Sequence, residues 1–341
     1  MINAGQILRT EDLSIGFKGK RKDADIIFEK ISVSAGKAEL VALFGPNGIG
    51  KSTLLRSLVK LQSPLSGEIF LFNENIHNYS RTRLARKLGF VSTETIHVNN
   101  LRVNDLVSLG RYPHTGWMGR LGREDIEKVN DAINMVAIQH LRNKFIHQLS
   151  DGERQRAMIA RTLAQNTGII VLDEPTAFLD LPNKYEMVHL LQNLARESGK
   201  TIIFSTHDLN IAIQEAGKIW LMLEDRIIQG APEDLILEGS FGKMFEKTNL
   251  KFNKKKGEFR IHRKLNMSIE LNGPETEYKW TKNALERLGF GVSDQPGKDI
   301  LINILKENNQ RSWEIIKNNK KRVFPGIYEL CNFLTEQKNT F

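Results

Sequence analysis

The segment from Gly45 to Thr53 has the residue types and the spacing needed to hold phosphate groups. It reads Gly45-Pro-Asn47-Gly48-Ile-Gly50-Lys51-Ser52-Thr53. Glycines let backbone N–H groups close around phosphate oxygens at the start of a helix, where the helix dipole favours negative charge. Lys51 is then predicted to reach the β- and γ-phosphates as a point charge, and the Ser52 hydroxyl is predicted to bind Mg²⁺.

Two adjacent carboxylates follow a second apolar run, Ile169-Ile-Val-Leu-Asp173-Glu174. A carboxylate at the end of a buried strand is the expected partner of nucleotide-bound Mg²⁺, and Asp173 has that position. Glu174 points in a different direction from its neighbour, and we predict that it polarises the water that attacks the γ-phosphate. The alternative interpretation is an ordinary solvated acid at a strand end.

A third segment, Leu149-Ser150-Asp151-Gly152-Glu153, comes just before an amphipathic helix. Its serine can cap that helix, and the helix start can bind an anion. Taken alone, this pattern indicates only the beginning of a helix.

Parallel strands are needed to bring these segments together. Buried-type apolar runs at 39–44, 168–173 and 201–205 alternate with segments of helical spacing, such as Ser52–Leu61 and Asn183–Arg196. This alternation predicts an α/β fold with a mostly parallel sheet, whose ligands bind beyond the carboxyl ends of the strands. Gly45, Asp173 and His207 are therefore expected on one edge of the sheet.

With these elements in this order, residues 8–245 resemble the ATP-binding cassette subunits of transporters. That family has a phosphate loop, a Leu-Ser-Gly-Gly-Gln signature, a strand ending in Asp-Glu, an Asp-containing loop and a switch histidine. The matching positions are Gly45–Thr53, Leu149–Glu153, Asp173 with Glu174, Asp180 and His207. The signature departs from the usual form at Asp151 and Glu153 but keeps its serine and second glycine.

The resemblance implies a P-loop NTPase cassette with a mostly parallel core sheet, an antiparallel β subdomain and a helical subdomain at about residues 95–165. It implies ATP and Mg²⁺ as cofactors and a head-to-tail homodimer with two ATP molecules between the subunits. Ser150, Gly152 and Glu153 would then contact the nucleotide of the other subunit, and Asp180 would lie beside it. His207 would hydrogen-bond the γ-phosphate.

Two further family positions are less regular in this chain. Phe17 occupies the place of the aromatic residue that stacks on adenine, although an ordinary core or edge aromatic is the alternative. The family commonly has a glutamine that contacts Mg²⁺ and the attacking water. Its position falls near Thr93, where Thr93 or Glu94 would have to replace it.

The stretch Leu109-Gly-Arg111-Tyr112-Pro113-His114 is similar to the subfamily that serves importers of iron-siderophore, haem and cobalamin chelates. In the family this region faces the membrane permease. The resemblance implies that the permease is a direct partner and that a substrate-binding protein is an indirect one. Cargo is bound by those other subunits, so the chain itself is not expected to ligate iron.

Composition excludes several other classes of protein. The chain has 341 residues with 40% hydrophobic and 26% charged residues, which is ordinary for a globular protein. No apolar run approaches the ~20 residues of a membrane-spanning helix, and the beginning of the chain is unlike a signal peptide. With a single cysteine, Cys331, these features predict a cytoplasmic protein held at the inner face of the membrane by its permease.

The last quarter of the chain differs in charge. Residues 251–341 hold 18 Lys and Arg against 11 Asp and Glu, a net of +7 out of +9 for the whole chain. We expect a cassette at 1–250, an exposed linker at Lys251–Lys256 and an accessory α+β domain at 251–341. Its expected elements include a helix at Glu277–Leu288 with Trp280 in its core, a strand at Asp299–Leu305, and helices near Trp313 and Tyr328.

Three functions fit parts of this pattern. A transport ATPase fits best, and a soluble cassette ATPase that acts on nucleic acid through the basic tail is the main alternative. That tail mixes acids with bases and matches no nucleic-acid-binding module, so no nucleic-acid partner is expected. A small-molecule kinase would leave Ser150–Glu153 and His207 unexplained.

Overall fold

The computed structural model describes residues 5–19, 24–92, 100–116, 119–265, 267–293, 295, 297–307 and 310–337. The strands in these residues are β1 (Gln6–Lys18), β2 (Ala24–Ile31), β3 (Ser34–Gly36), β4 (Leu40–Phe44), β5 (Ser66–Leu71), β6 (Glu74–Asn75), β7 (Leu88–Val91), β8 (Ile169–Leu172), β9 (Thr201–Thr206), β10 (Lys218–Met222), β11 (Ile227–Gly230), β12 (Leu250–Asn253), β13 (Glu258–Ile261), β14 (Met267–Asn272), β15 (Phe290–Ser293), β16 (Ile300–Glu307), β17 (Gln310–Lys317) and β18 (Lys320–Phe324).

The α-helices in the same residues are α1 (Lys51–Leu58), α2 (Arg81–Ala85), α3 (Val103–Ser108), α4 (Arg123–Met135), α5 (Asp151–Ala164), α6 (Leu181–Glu197), α7 (Leu209–Glu215), α8 (Pro232–Leu237), α9 (Glu275–Leu288) and α10 (Ile327–Gln337). Short 3₁₀ segments lie at Ile76–Asn78, Leu109–His114, Gln139–Leu141, Ile146–Gln148 and Ser240–Phe245.

A six-stranded sheet in the order β11-β10-β4-β9-β8-β7 forms the centre of the first part of the chain. Its strands are parallel except for the antiparallel pair β10 and β11. Strands β4, β8 and β9 are buried along their whole length. Such strands are apolar throughout because both faces of the sheet are covered, and the predicted mostly parallel α/β core is confirmed.

The two faces of this sheet belong to two different cores. Leu54, Leu55 and Leu58 of α1 pack with the strand residues Val41 and Leu43 on one face. On the other face, Ala42 and Leu40 pack with residues of helices α5 and α6. An antiparallel sheet, β2-β1-β5-β6 with β3 paired to β1, adds its residues to the α1 side.

Helices α3, α4 and α5 and the 3₁₀ segment Leu109–His114 lie in the chain between β7 and β8. Their shared core includes Val103, Val107, Val129 and Ile133. The insertion separates two parallel strands that are neighbours in the sheet. It therefore begins at the edge that carries Asp173 and Glu174 and ends at the opposite edge, where β8 starts.

The chain divides into two compact units. The first contains the described residues up to Glu246 together with Phe252–Phe259, and the second contains Lys247–Lys251 and the described residues from Arg260 onward. The segment expected to be an exposed linker differs from that expectation. Its residues belong to β12 and to the turn that leads to β13, and Phe252 stacks on Phe241 within the first unit, with ring centroids 5.2 Å apart.

The second unit is a five-stranded sheet, β15-β14-β16-β17-β18, with an apolar core that includes residues of α9 and α10. The expected helix near Trp313 is wrong, because Trp313 lies in β17. Trp313 and Ile315 are buried on one face at the two-residue period of a strand. The expected burial of Trp280 is also wrong, because this side chain is exposed on α9, whereas Ala284 and Leu285 are buried.

Candidate functional site

The phosphate loop, residues Gly45–Thr53, connects the carboxyl end of β4 to the first turn of α1. Gly48 and Gly50 have φ angles of +79° and +109°, which other residues rarely adopt. A Cβ atom on Gly50 would also lie 2.6 Å from Cγ2 of Ile27 on β2. Both the backbone conformation and this close approach require glycine at position 50.

Lys51 is buried at the mouth of this loop. Its ammonium donates hydrogen bonds to the carbonyl oxygens of Gly45, at 2.9 Å, and Pro46, at 3.0 Å. It also lies 4.0 Å from Oε1 of Glu174. Burial lowers the pKa of Lys51 below its ordinary value, and the negative charges of Glu174 and Asp173 oppose that change.

Asp173 lies at the carboxyl end of β8 and is 1% exposed. Its Oδ1 accepts a hydrogen bond of 3.0 Å from the hydroxyl of Ser52 and one of 2.8 Å from the hydroxyl of Ser205. Ser52 is in the phosphate loop and Ser205 is in β9, the strand next to β8. The sheet edge thus brings three chain segments to one buried carboxylate, whose oxygen sits beside the loop.

Glu174 follows Asp173 with a φ angle of +44°, in the left-handed region. Its backbone N–H donates a 2.8 Å hydrogen bond to Oγ of Ser205. Its carboxylate is 28% exposed and lies 3.7 Å from Nδ1 of His207. Glu174 therefore turns away from Asp173 and stands between Lys51 and His207, as the sequence predicted for two carboxylates with different directions.

A cavity of about 320 Å³ opens at this edge of the sheet. Its lining residues are Ile27, Asn47, Gly48, Gly50, Lys51, Ser52, Thr53 and Glu174. Most of the residues predicted from the phosphate-loop pattern therefore share one cavity with the predicted base. Ile27 and Ser205 are not among the site residues that the sequence predicts. Ser205 is the last residue of the predicted strand 201–205. If this strand is paired with the predicted strand 168–173, their carboxyl ends lie together, and Ser205 is then expected beside Asp173.

Phe17 lies on β1, paired with Asp25 of β2, and its side chain is 53% exposed. The same two-stranded ribbon carries Ile27, which lines the cavity. An exposed aromatic ring on this ribbon is compatible with stacking on a base, so the predicted adenine contact stays a prediction.

The signature turn, residues Leu149–Glu153, begins α5. Oγ of Ser150 accepts a 3.3 Å hydrogen bond from the N–H of Glu153, and the Glu153 carboxylate accepts one of 2.9 Å from the N–H of Ser150. Ser150 is exposed, and the turn is absent from the described lining of the phosphate cavity. One copy of the chain thus leaves Ser150 and Asp151 of this turn facing solvent.

Asp180, another predicted position, is absent from the described lining of the phosphate cavity. Asp180 is exposed and caps α6 by accepting a 3.2 Å hydrogen bond from the N–H of Asn183. Thr93 and Glu94, the expected replacements for the family glutamine, lie outside the described residues.

Within the described ranges, no group of three or more His, Cys, Asp or Glu side chains is arranged to hold a metal ion. The helices of those ranges include none that is both long and apolar enough to cross a membrane.

Comparison with family models matches residues 28–177 to the ABC transporter family and residues 266–335 to the iron ABC transporter C-terminal domain. The chain is 39% identical over 230 residues to the ferric enterobactin transport ATP-binding protein FepC of Escherichia coli, covering 67% of this chain and 83% of the relative. It is 37% identical to the achromobactin transport ATP-binding protein CbrD of Dickeya dadantii, with 68% and 84% covered.

Solved structures share the same fold. CbiO1 from Clostridium perfringens, part of the ABC transporter complex cbiONQ, superposes with a TM-score of 0.60 at 32% identity, covering 70% of this chain and 93% of that one. The cassette MJ0796, a dimer in a post-hydrolysis state bound to ADP and Pi, gives a TM-score of 0.58 at 26% identity, with 66% and 98% covered.

Proposed function

Because the chain belongs to the ATP-binding subunits of ABC transporters, we propose that it hydrolyses ATP to power the import of a ferric chelate through a separate membrane permease. One observation carries the assignment of the reaction to particular residues. Glu174, at φ +44°, stands between the ammonium of Lys51 and the imidazole of His207 at the edge of the phosphate cavity.

This arrangement supports in-line attack of water on a γ-phosphate. Lys51 would leave its two carbonyl partners to contact the β- and γ-phosphates, since an ammonium binds charged oxygens more strongly than neutral ones. Glu174 would orient and deprotonate the water, and His207 would hydrogen-bond the γ-phosphate. The exposure of the Glu174 carboxylate leaves it accessible to that water.

The residues of the site also fit Mg²⁺. The Ser52 hydroxyl and Oδ1 of Asp173 are 3.0 Å apart, and Asp173 is buried beside the loop. Oxygen donors of this kind suit a hard cation that keeps several waters. When bound, Mg²⁺ would neutralise charge on the β- and γ-phosphates, held by Ser52 and Asp173.

A second copy of the chain would complete the pocket. The exposed signature turn combines a helix N-terminus, a hydroxyl and the backbone of Gly152, which together suit a phosphate. The dimeric form of the related cassette supports a dimer of this chain as well. We assign Ser150, Gly152 and Glu153 to the nucleotide bound by the partner subunit, and Asp180 to the neighbourhood of that interface.

The nature of the cargo is supported by both units of the chain. Residues 266–335 match the iron ABC transporter C-terminal domain, and the relatives above are named for ferric enterobactin and achromobactin transport. Ferric chelates of the siderophore class are therefore the proposed cargo, with haem and cobalamin chelates as the wider class. A substrate-binding protein would deliver them to the permease.

The permease would contact the first unit at two adjoining features. A cavity of about 640 Å³ is lined by Leu61, Arg81, Phe90 and Gln165, among other residues. Leu109 and Tyr112 are 56% and 78% exposed. We propose that a permease loop docks at this cavity and at these two side chains, which would hold the subunit at the inner face of the membrane.

The proposed base is tested by Glu174→Gln. We expect kcat to fall by about 10³-fold because the amide cannot accept the proton, within the usual range for removing a general base. ATP should still bind and should trap a dimer, measured by light scattering of the ATP-loaded chain. Glu233→Gln, an exposed acid on α8, is the control. Undiminished hydrolysis would remove Glu174 from this role.

The transport assignment is tested by recovery of partners from detergent extracts, with the chain as bait. We expect a polytopic permease, and uptake of a labelled ferric siderophore that depends on Lys51. Recovery of nucleic acid that is released along a salt gradient, without a permease, would instead favour the soluble alternative.

A further inference from the structure

A second cavity, of about 430 Å³, is lined by residues that all belong to the C-terminal unit. We call it the C-terminal cavity and define it by Arg260, His262 and Arg263 on one wall and Asn283 and Glu286 on the other. Small-molecule sites usually measure about 300–1,000 Å³. The phosphate loop contributes nothing to its described lining, so this cavity is a different one from the proposed ATP site.

The two walls come from different elements of the unit. Strand β13 ends at Ile261, and the backbone N–H of His262 donates a 2.6 Å hydrogen bond to the carbonyl oxygen of Asn249. Asn283 and Glu286 are three positions apart on α9, a spacing that puts both side chains on the same face of the helix. The first wall is thus anchored through its backbone, and the second is held by a helix.

One contact joins the two walls. Nη1 of Arg260 lies 3.5 Å from Oδ1 of Asn283, at the outer limit of a hydrogen bond. Both residues are half-buried. Because its oxygen faces Arg260, the amide of Asn283 keeps two N–H donors, and no residue in the described ranges accepts a hydrogen bond from them. A ligand in the cavity can therefore use these donors.

Charges of opposite sign line the cavity without pairing with each other. Arg263 is exposed and Glu286 is half-buried. Within the described part of the chain, neither side chain forms an ion pair or a hydrogen bond, although both line the same cavity. Elsewhere in this unit such groups do pair, as Arg311 and Glu277 do at 2.8 Å. A structural ion pair would bring Arg263 and Glu286 together, whereas a ligand that contacts both needs them apart.

The basic wall suits a ligand with carboxylate groups. The segment 258–264 contains Arg260, Arg263 and Lys264 against one acid, Glu258, so its formal charge is +2 with His262 counted as neutral. A guanidinium presents paired N–H donors that match the two oxygens of a carboxylate. The excess of positive charge favours an anion with more than one carboxylate over a zwitterion.

The acidic wall adds a second requirement. An ionised carboxylate only accepts hydrogen bonds, so the ligand group opposite Glu286 must be a donor. A hydroxyl supplies this donor without adding charge. Ile261 and Leu265, which are 61% and 46% exposed, line the same cavity and can contact carbon atoms of the ligand. The lining therefore fits an organic anion better than an inorganic one such as sulfate, which has neither a hydroxyl nor carbon.

We propose that the C-terminal cavity binds a small hydroxycarboxylate with two or more carboxylate groups. Arg260 and Arg263 bind its carboxylates, the amide nitrogen of Asn283 donates a further hydrogen bond, and Glu286 accepts one from its hydroxyl. This site is additional to the ATP site. Its occupation requires neither ATP hydrolysis nor a permease, so the proposal goes beyond the proposed function.

Citrate and tricarballylate, titrated calorimetrically into the full chain without nucleotide or Mg²⁺, test the assignment. The two anions have the same number of carboxylates, but tricarballylate lacks the hydroxyl. We expect the chain to bind citrate with a stoichiometry of one. Tricarballylate should bind about tenfold more weakly, because Glu286 then receives no hydrogen bond.

Two substitutions test the two walls separately. Arg263→Gln should weaken the binding of both anions about tenfold, because a charge-assisted hydrogen bond is lost. Glu286→Ala should abolish the preference for citrate, because the hydroxyl then has no acceptor. Neither side chain is buried, so the melting temperatures should stay near that of the wild type. Arg287→Gln is the matched control, since Arg287 is an exposed arginine on α9 outside the described cavity lining.

The phosphate loop is the other place where an anion could bind, and Lys51→Ala distinguishes it. We expect this variant to bind citrate as the wild type does. The proposal would be overturned by the absence of citrate binding, by its loss in Lys51→Ala, by equal affinities for citrate and tricarballylate, or by unchanged affinities in Arg263→Gln. None of these measurements uses ATP hydrolysis or a permease, so the failure of either proposal leaves the other standing.

Discussion

At the edge of the core sheet, Asp173 is buried and accepts hydrogen bonds from Ser52 and Ser205, which belong to two other chain segments. At the start of α5, Ser150 is exposed, and the bonds of its hydroxyl and N–H in the described residues are to Glu153 of the same turn. The first region is assembled by the fold of one chain. The second is complete as a helix start but has donors left for a second molecule.

The difference follows from what burial requires. A buried carboxylate needs hydrogen-bond partners within the protein, so Asp173 is held in place by its own chain. An exposed helix N-terminus is satisfied by water until a ligand replaces that water. Under the proposed function, closure over the nucleotide would depend on a second subunit, which fits a transporter that must couple hydrolysis to movement.

The largest expected effect comes from breaking the buried region. Asp173→Asn should reduce Mg²⁺-dependent hydrolysis by about a thousandfold, because a metal that stabilises the transition state contributes several kcal/mol. Steady-state ATPase measured across a Mg²⁺ titration checks this. Asp225→Asn, an exposed aspartate of the same unit, should leave the rate unchanged. A rate restored by excess Mg²⁺ alone would mean that Asp173 contributes only affinity.

The second prediction tests the exposed region. Ser150→Ala should lower kcat about thirtyfold, because a hydrogen bond to a charged phosphate is lost, while ATP binding to the single chain is preserved. The variant also loses a helix cap worth ~1 kcal/mol. Ser80→Ala controls for that loss, since Ser80 caps α2 by the same kind of bond to Arg83. Equal kinetic effects in both variants would mean that Ser150 acts only as a helix cap and does not contact the nucleotide.

The smallest expected effect concerns Ser205, which is bonded to Asp173 and Glu174 in the buried region. Ser205→Ala should lower kcat about tenfold with little change in KM, because Glu174 loses the hydroxyl that holds its N–H in the left-handed conformation. Stopped-flow measurement of a single turnover separates this from product release. Ser57→Ala removes another buried serine hydroxyl, bonded to Thr53 inside α1, and serves as the control. A change in KM alone would mean that Ser205 contributes to ATP binding and not to the turnover of bound ATP.

Helices and strands with a single strong pattern were predictable. The apolar runs that end at Phe44 and Leu172 form buried parallel strands, and the helix that follows the phosphate loop begins at Lys51. The secondary structure of the C-terminal unit is harder to predict from the sequence. Around Trp313 the spacing of apolar residues in a short segment does not distinguish a strand from a helix, and pairing with β16 and β18 decided for the strand.

In the candidate site, too, some residues can be predicted from the sequence and others cannot. Lys51 and Ser52 lie in one local motif, so their roles follow from spacing. Ser205 and Ile27 reach the site only because β9 lies beside β8 and because β2 passes over Gly50. No local pattern marks either residue, since each is separated from its partner by more than twenty positions in the chain.

The sequence by itself determined which chemical groups are present, the parallel α/β class of the core and the family to which the cassette belongs. Those properties are local or periodic, and glycine spacing and apolar runs express them directly. Tertiary structure alone decided in which direction the Glu174 carboxylate points and which serine accepts the hydrogen bond from its N–H. It also decided that α5 packs between β7 and the segment 109–114. These contacts join side chains that are far apart in the sequence, so the distance between them depends on how the elements pack and not on sequence spacing.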